Sequence, residues 1–264
     1  MRDWPIAVGG RESFRYDDDM QPVSKRHEEA LAYLDDSHRD GGIGKWRRLY
    51  TKLLKQPSLA GLDSIVELGA GAPDFLAGLS MSSRLAVDLG ERYRPLYEQA
   101  GISFRQADLE QDRLDDVGRF DVAVCSDVFE HLLFPHLVLE NIRSLLTPKG
   151  VLLSHVPNEY ALKATLAIMA GRREGLYYHQ HSNEWEDPHV RRFTDLGYQR
   201  FLKLQFRHSI RLTQLGYKGL PKLMARFGVG VPYCLEHGPT YASTNDDETA
   251  RQLQQAVDGL AKKR

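Results

Sequence analysis

From Asp63 onward, apolar runs of strand length alternate with stretches of helical periodicity, and few architectures accommodate that alternation. The runs are Ile65–Leu68, Leu85–Val87, Ile102–Phe104, Val122–Cys125 and Val151–Val156. They are near-continuously apolar, as strands are when helices cover both faces of a parallel sheet. Helical patterns fall between them at Pro73–Leu79, Pro95–Ala100 and His136–Leu146, with Lys149-Gly150 as the exit of the last helix. The expected fold is therefore α/β: a Rossmann-like, doubly wound, mostly parallel sheet with helices on both faces.

Flanking segments are less regular. Residues 1–20 are polar, end in Asp17-Asp18-Asp19 and suggest a flexible arm. An N-terminal helical segment is expected over 21–60, with patterns at Ser24–Asp35 and Ile43–Gln56 divided by the glycine-rich Gly41–Gly44. In the second pattern Trp46, Leu49, Tyr50, Leu53 and Leu54 recur at helical spacing. Lys45, Arg47, Arg48, Lys52 and Lys55 between them read as a solvated face rather than a binding stripe. The main domain then spans 61–264, with an insert on its acceptor side at about 157–195. Its tail, Asp246–Arg264, reads as a helix with acids first and bases last. The Gly- and Pro-rich stretch 216–242 receives no assignment.

Charge and composition narrow the partners. Thirty-five basic residues stand against 36 acidic ones, so no overall field draws the chain to nucleic acid or an anionic membrane. No run approaches the roughly 18 apolar residues of a membrane span, and Met1–Gly10 lacks a signal-peptide core, which makes a cytoplasmic location the expectation. Cys125 and Cys234 suit neither a disulfide framework nor a zinc spacing.

The most informative stretch is Ile65-Val66-Glu67-Leu68-Gly69-Ala70-Gly71-Ala72-Pro73-Asp74. Strand, glycine turn and helix start follow in the order that lets backbone approach a nucleotide, since Gly69 and Gly71 leave room where a Cβ would collide. Asp88, about 20 residues beyond Glu67, ends the second strand where a carboxylate can accept both hydroxyls of a ribose. A dinucleotide fold wants Gly or Ala at the last position of G-x-G-x-x-G and sets a pyrophosphate on the helix start. Here that position is Asp74, whose charge repels phosphate. S-adenosyl-L-methionine has no phosphate and carries a cationic amine and sulfonium, so it is the expected cofactor, with Glu67, Gly69, Ala70, Gly71, Asp88 and Leu89 around it.

The segment resembles the first motif of class I S-adenosylmethionine-dependent methyltransferases, E/D-x-G-x-G-x-G, with Pro73 in place of the third glycine. Ala107-Asp108-Leu109 is similar to the family's loop after the third strand, and the resemblance implies that Asp108 and Leu109 meet the adenine. Asp108 also suits a turn cap. Phe120-Asp121 through Glu130-His131 is similar to the fourth-strand motif. Asp121 reads as structural, whereas Ser126 and Asp127 end a central strand where ligands bind in such sheets. The resemblance covers about residues 63–200.

Beyond the fifth strand come Val156-Pro157-Asn158 and His189-Val190-Arg191-Arg192-Phe193-Thr194. These resemble a bacterial subgroup that methylates surface glycans and small metabolites and also includes a regulator of methionine biosynthesis. The resemblance implies that His189 and Arg191 line or brace an acceptor pocket; Asn158, His181 and Arg192 complete the candidate set. His131 and His189 are the candidate catalytic residues. His131 can serve as a general base or merely orient its loop, and both readings stand. His179, His181, Glu184, Glu186 and His189 invite a metal, but the stretch suits a polar substrate equally well and no metal is expected. The expected activity is O-methylation of a polar small molecule such as a sugar or glycan precursor, with N-transfer and a homodimer allowed. The competing class is a cofactor-binding module that regulates a partner enzyme.

Overall fold

The computed structural model describes residues 44–171 and 189–262. The expected arm, the Ser24–Asp35 helix and His181 lie outside the described residues, as do His179, Glu184 and Glu186. Within them, helices α1 Lys45–Leu54, α2 Asp74–Ala77, α3 Arg94–Gln99, α4 Pro135–Leu145, α5 Leu162–Met169, α6 Asp195–Leu202, α7 Gly219–Arg226 and α8 Asp247–Lys262 surround seven strands. The strands are β1 Ser64–Leu68, β2 Ser83–Asp88, β3 Ser103–Gln106, β4 Phe120–Ser126, β5 Leu146–His155, β6 His208–Arg211 and β7 Thr240–Thr244. They form one sheet in the order β3-β2-β1-β4-β5-β7-β6. β1 to β5 run parallel, and β7 lies antiparallel to β5 and β6.

Strand residues alternate between two cores. Ile65, Val122 and Val124 join Trp46, Leu49, Tyr50 and Leu53 of α1 and Leu253 and Val257 of α8. Val66, Ala123 and Cys125 face the opposite layer, with Val138, Leu139 and Ile142 of α4 and Tyr198 and Leu202 of α6. Each such aliphatic side chain contributes about 1.5–3 kcal/mol by leaving water, so both sheet faces need their helices. Among the described residues no helix is long and apolar enough to cross a membrane.

One expected boundary is corrected. α4 ends at Leu145 and β5 begins at Leu146, so Lys149-Gly150 belongs to the strand segment and is not a helix exit. Phe120 pairs with Leu146 and Val122 with Val151, which loops residues 147–150 out of register. A Cβ on Gly150 would stand 2.8 Å from the Cβ of Leu146; the glycine serves this tight reversal. The unassigned stretch 216–242 contains α7 and the start of β7. Around it Arg211 pairs with Asp195 at 3.2 Å and with Glu236, tying β6 to α6.

Candidate active site

Register decides where the site lies. Leu68, the last residue of β1, is paired with Val87 on one side and Cys125 on the other. The loops that leave β1, β2 and β4 therefore emerge side by side at one sheet edge. Gly69 and Gly71 have φ of +67° and +58°, a region costly to any residue with a Cβ. At Gly69 a Cβ would also lie 2.4 Å from Val128 Cγ2, so the glycine lets the β1 and β4 loops touch. Asp88 accepts from the Gly71 N–H at 2.9 Å and the Gly90 N–H at 3.0 Å, which fixes its carboxylate beside the turn. Ala70 is buried there, and Leu89 is half-buried.

Below the turn, Glu67 is 1% exposed and accepts from Arg47 Nε at 2.7 Å. Arg47 Nη2 also donates to the Ala70 carbonyl at 3.1 Å. Burial pushes the Glu67 carboxyl up to about 6, with Arg47 pulling the other way. The reading of Arg47 as part of a solvated face is thus corrected: its side chain is 22% exposed and is turned towards the glycine loop. Asp108 accepts from the Glu110 N–H and from Gln111 Nε2, both at 2.9 Å, so it caps its own turn, with Leu109 half-buried beside it.

At the end of β4 the chain turns sharply. Ser126 Oγ lies 3.2 Å from the Tyr50 hydroxyl. Asp127 has φ of +57°, and its N–H donates to the His155 carbonyl at 3.1 Å, leaving the side chain 58% exposed. His155 is buried, shares a 2.9 Å hydrogen bond with Thr240 Oγ1, and packs at a tilt against the Trp46 ring; burial pushes its pKa well down. Next comes a short 3-10 turn, Phe129–His131, that buries Glu130 and leaves His131 half-buried. Burial pushes the Glu130 carboxyl well above the ordinary carboxylate range, and the charge of Asp127 adds to this.

The 189–191 segment lies along this turn. Arg191 donates its N–H to the Glu130 carbonyl at 2.9 Å and its Nη2 to the Leu133 carbonyl at 2.5 Å. The His131 and His189 rings meet edge-on with centroids 4.6 Å apart. His189 Nδ1 is 2.5 Å from Oε1 of Glu159, a buried carboxylate that follows Asn158. Asn158 itself donates to the Tyr233 and Glu236 carbonyls at 2.7 and 3.0 Å and accepts from the Tyr160 N–H. Its amide braces the 233–236 turn. Arg192 is exposed, and Thr194 caps α6 by accepting from the Gly197 N–H at 3.1 Å.

A family model described as a methyltransferase domain matches residues 36–215. The chain belongs to that family. Its fold is that of class I S-adenosylmethionine-dependent methyltransferases. A ubiquinone biosynthesis O-methyltransferase of Glaesserella parasuis serovar 5 (strain SH0165) is 27% identical over 157 residues, 58% of this chain and 61% of the relative. The chain thus spans less than two thirds of that curated relative. Among solved structures, the plantazolicin methyltransferase BpumL with a desmethyl substrate analogue and S-adenosylhomocysteine superposes with a TM-score of 0.58 at 13% identity, over 84% of this chain and 96% of that one. An S-adenosylmethionine-dependent methyltransferase from Clostridium acetobutylicum ATCC 824 gives 0.54 at 12% identity, over 82% and 97%. At such identities the superpositions speak for the fold.

The methyltransferase brings together the expected Glu67, Gly69, Ala70, Gly71, Asp88, Ser126 and Asp127 along neighbouring strand ends. It also brings His131 against His189. Two residues escape sequence reasoning. Arg47 is hidden among four basic residues of one helix, and Glu159 meets its histidine 30 positions away. For Glu159 the available signal was an acidic residue directly after the strand-end Pro157-Asn158.

Proposed function

We propose that this methyltransferase O-methylates a polar small molecule, with a sugar or sugar conjugate as acceptor. The observation that carries the reading is the shared strand edge: the glycine turn and Asp88 lie at the ends of β1 and β2, and the Asp127–His131 loop with His189 lies at the end of β4. The residues suit the donor. Asp88 accepts the ribose hydroxyls, the Gly69–Gly71 backbone runs past the methionine end, and Arg47 is the cation beside the turn that a methionine carboxylate needs. Leu89, Asp108 and Leu109 take the adenine side, with Ser126 and Asp127 closing the donor pocket. When bound, S-adenosylmethionine supplies a methyl group activated on a sulfonium.

Most of the remaining work is orientation, because a bound near-attack geometry replaces a bimolecular encounter. Arg191, Arg192 and Asn158 face or brace the acceptor, and the His131–His189 pair acts on its hydroxyl. The acceptor oxygen would bond to the methyl carbon as the carbon–sulfur bond breaks, with its proton passing to the histidine pair. Histidine, arginine and carboxylate groups suit a hydroxyl-rich ligand better than a flat apolar one. The name of the 27% identical relative favours a phenolic acceptor as the second reading.

Methyl transfer from labelled donor should be screened against nucleotide sugars, oligosaccharides, phenols and quinol-type lipids, with mass spectrometry of products. Labelled sugars support the first reading; label confined to phenols or lipids replaces it with the second.

A further inference from the structure

Glu130 is 1% exposed, yet among the described residues neither of its carboxylate oxygens has a hydrogen-bond partner. A buried carboxylate in that condition is expensive unless something positive or protic meets it. What surrounds it is a set of metal-binding groups. One ligand atom from each of Glu130, His131 and His189 can be chosen so that all lie within 4.8 Å of one another. Behind His189 stands the buried Glu159, 2.5 Å from Nδ1. A carboxylate on one imidazole nitrogen fixes the tautomer and offers the other nitrogen, here Nε2, as a lone pair; metal-bound histidines are commonly held in this way.

We infer that Glu130, His131 and His189 bind one divalent first-row cation, with Glu159 as the positioning residue behind His189. Two imidazoles and a carboxylate suit Zn²⁺, Mn²⁺ or Co²⁺ better than Mg²⁺ or Ca²⁺, which prefer oxygen throughout. From separations of at most 4.8 Å the three groups draw together by up to about 1.8 Å on binding, to the roughly 3 Å between neighbouring ligands around such an ion. The cluster differs from the His179–His189 set that the sequence suggests. It shares only His189 with that set and takes its carboxylate from the β4 loop.

The role of the cation rests on the acceptor reading proposed above. Three protein ligands leave coordination positions for an acceptor oxygen, and two neighbouring hydroxyls can chelate there. A coordinated hydroxyl would be more acidic, so its proton would pass to solvent and the oxygen would take the methyl carbon as the carbon–sulfur bond breaks and S-adenosylhomocysteine leaves. The acceptor class is thereby narrowed to vicinal dihydroxy compounds, whether a sugar diol or a catechol.

Cobalt(II) added to the full chain after chelator treatment tests the site directly, by visible d–d absorption, while calorimetry with S-adenosylhomocysteine reports the donor pocket in the same samples. The spectrum should saturate at one equivalent and vanish in Glu130→Gln and His189→Ala. In Glu159→Gln the cobalt dissociation constant should rise by roughly 10- to 100-fold. S-adenosylhomocysteine affinity should stay unchanged throughout. If His189→Ala does not fold, His131→Asn reads the same loss from the exposed side. No saturable spectrum, or one that persists in Glu130→Gln, overturns the cation site and leaves a neutral Glu130. Cobalt binding with methyl transfer confined to monohydroxy compounds keeps the site and rejects the acceptor reading.

Discussion

At Glu67, burial and the neighbouring Arg47 guanidinium pull the carboxyl in opposite directions. Burial keeps the Glu67 carboxyl at about 6 in the folded chain, against an ordinary value of 4.5. The folded state therefore holds that proton more tightly than the unfolded chain does. The stability it contributes is complete below pH 4.5 and is lost as pH rises through 6. The gap converts to about 2 kcal/mol. Glu67→Gln has no proton to lose, so its unfolding free energy relative to the parent should rise by about 2 kcal/mol between about pH 4.5 and 7.5, as read from urea titrations. A flat difference would mean that Arg47 keeps Glu67 ionised throughout. Asp88 poses a simpler test, since its two oxygens already accept backbone N–H groups at the turn. Asp88→Ala should weaken S-adenosylhomocysteine binding by about 1.5–3 kcal/mol, the scale of a hydrogen bond to a charged group. Calorimetry showing unchanged affinity in a folded variant would assign the ribose to another residue. If His131 acts on the acceptor hydroxyl as proposed, His131→Ala should lower turnover by roughly 10²- to 10⁴-fold; normal turnover in a folded variant would reduce His131 to a brace.

At the scale of elements, the β1 turn and the β4 loop form one unit joined by a missing side chain. Gly69→Ala introduces both a positive-φ cost of about 1–2 kcal/mol and a Cβ that would stand 2.4 Å from Val128 Cγ2. Val128→Ala in the same chain removes the collision and leaves the backbone cost, so thermal denaturation should show partial recovery in the double variant. Equal stability of single and double variants would mean that the loops move apart freely. The same contrast between backbone and side-chain causes explains what the sequence makes legible. β1, β2, β4 and β5 stand out because helices cover both faces and their buried residues are apolar. β7, Thr240-Tyr241-Ala242-Ser243-Thr244, is wholly buried yet largely polar. Its Thr240 hydroxyl is satisfied by His155, and Ser243 by Ser209, partners that no local pattern reveals. The glycine turn and Asp88 are readable for the opposite reason, because their roles depend on strand ends that the apolar runs already mark. The 130–133 turn is readable only in part: His131 can be singled out, but the partner that matters to it arrives from residue 189 through the Arg191 backbone bond to Glu130.

For the whole molecule, a ligand at this edge would touch loops that follow four parallel strands, and through Arg47 it would reach α1 as well. Those strands belong to both cores, so a ligand bound there stabilises the folded domain as a unit rather than one loop. At a free concentration about 100 times its dissociation constant, S-adenosylhomocysteine should add about 2.7 kcal/mol to the unfolding free energy. For a domain of this size that corresponds to a rise in Tm of about 5–10 °C. NAD brings a diphosphate to the same turn, where Asp74 occupies the first turn of α2 and Glu67 lies buried beneath. A helix start normally attracts phosphate, but a carboxylate already placed there cancels that attraction. NAD at equal concentration should therefore leave Tm unchanged. A thermal scan with each ligand separates the cases: a rise with NAD and none with S-adenosylhomocysteine would place a dinucleotide at the glycine turn, and the charge at Asp74 would then require a counter-ion to tolerate it.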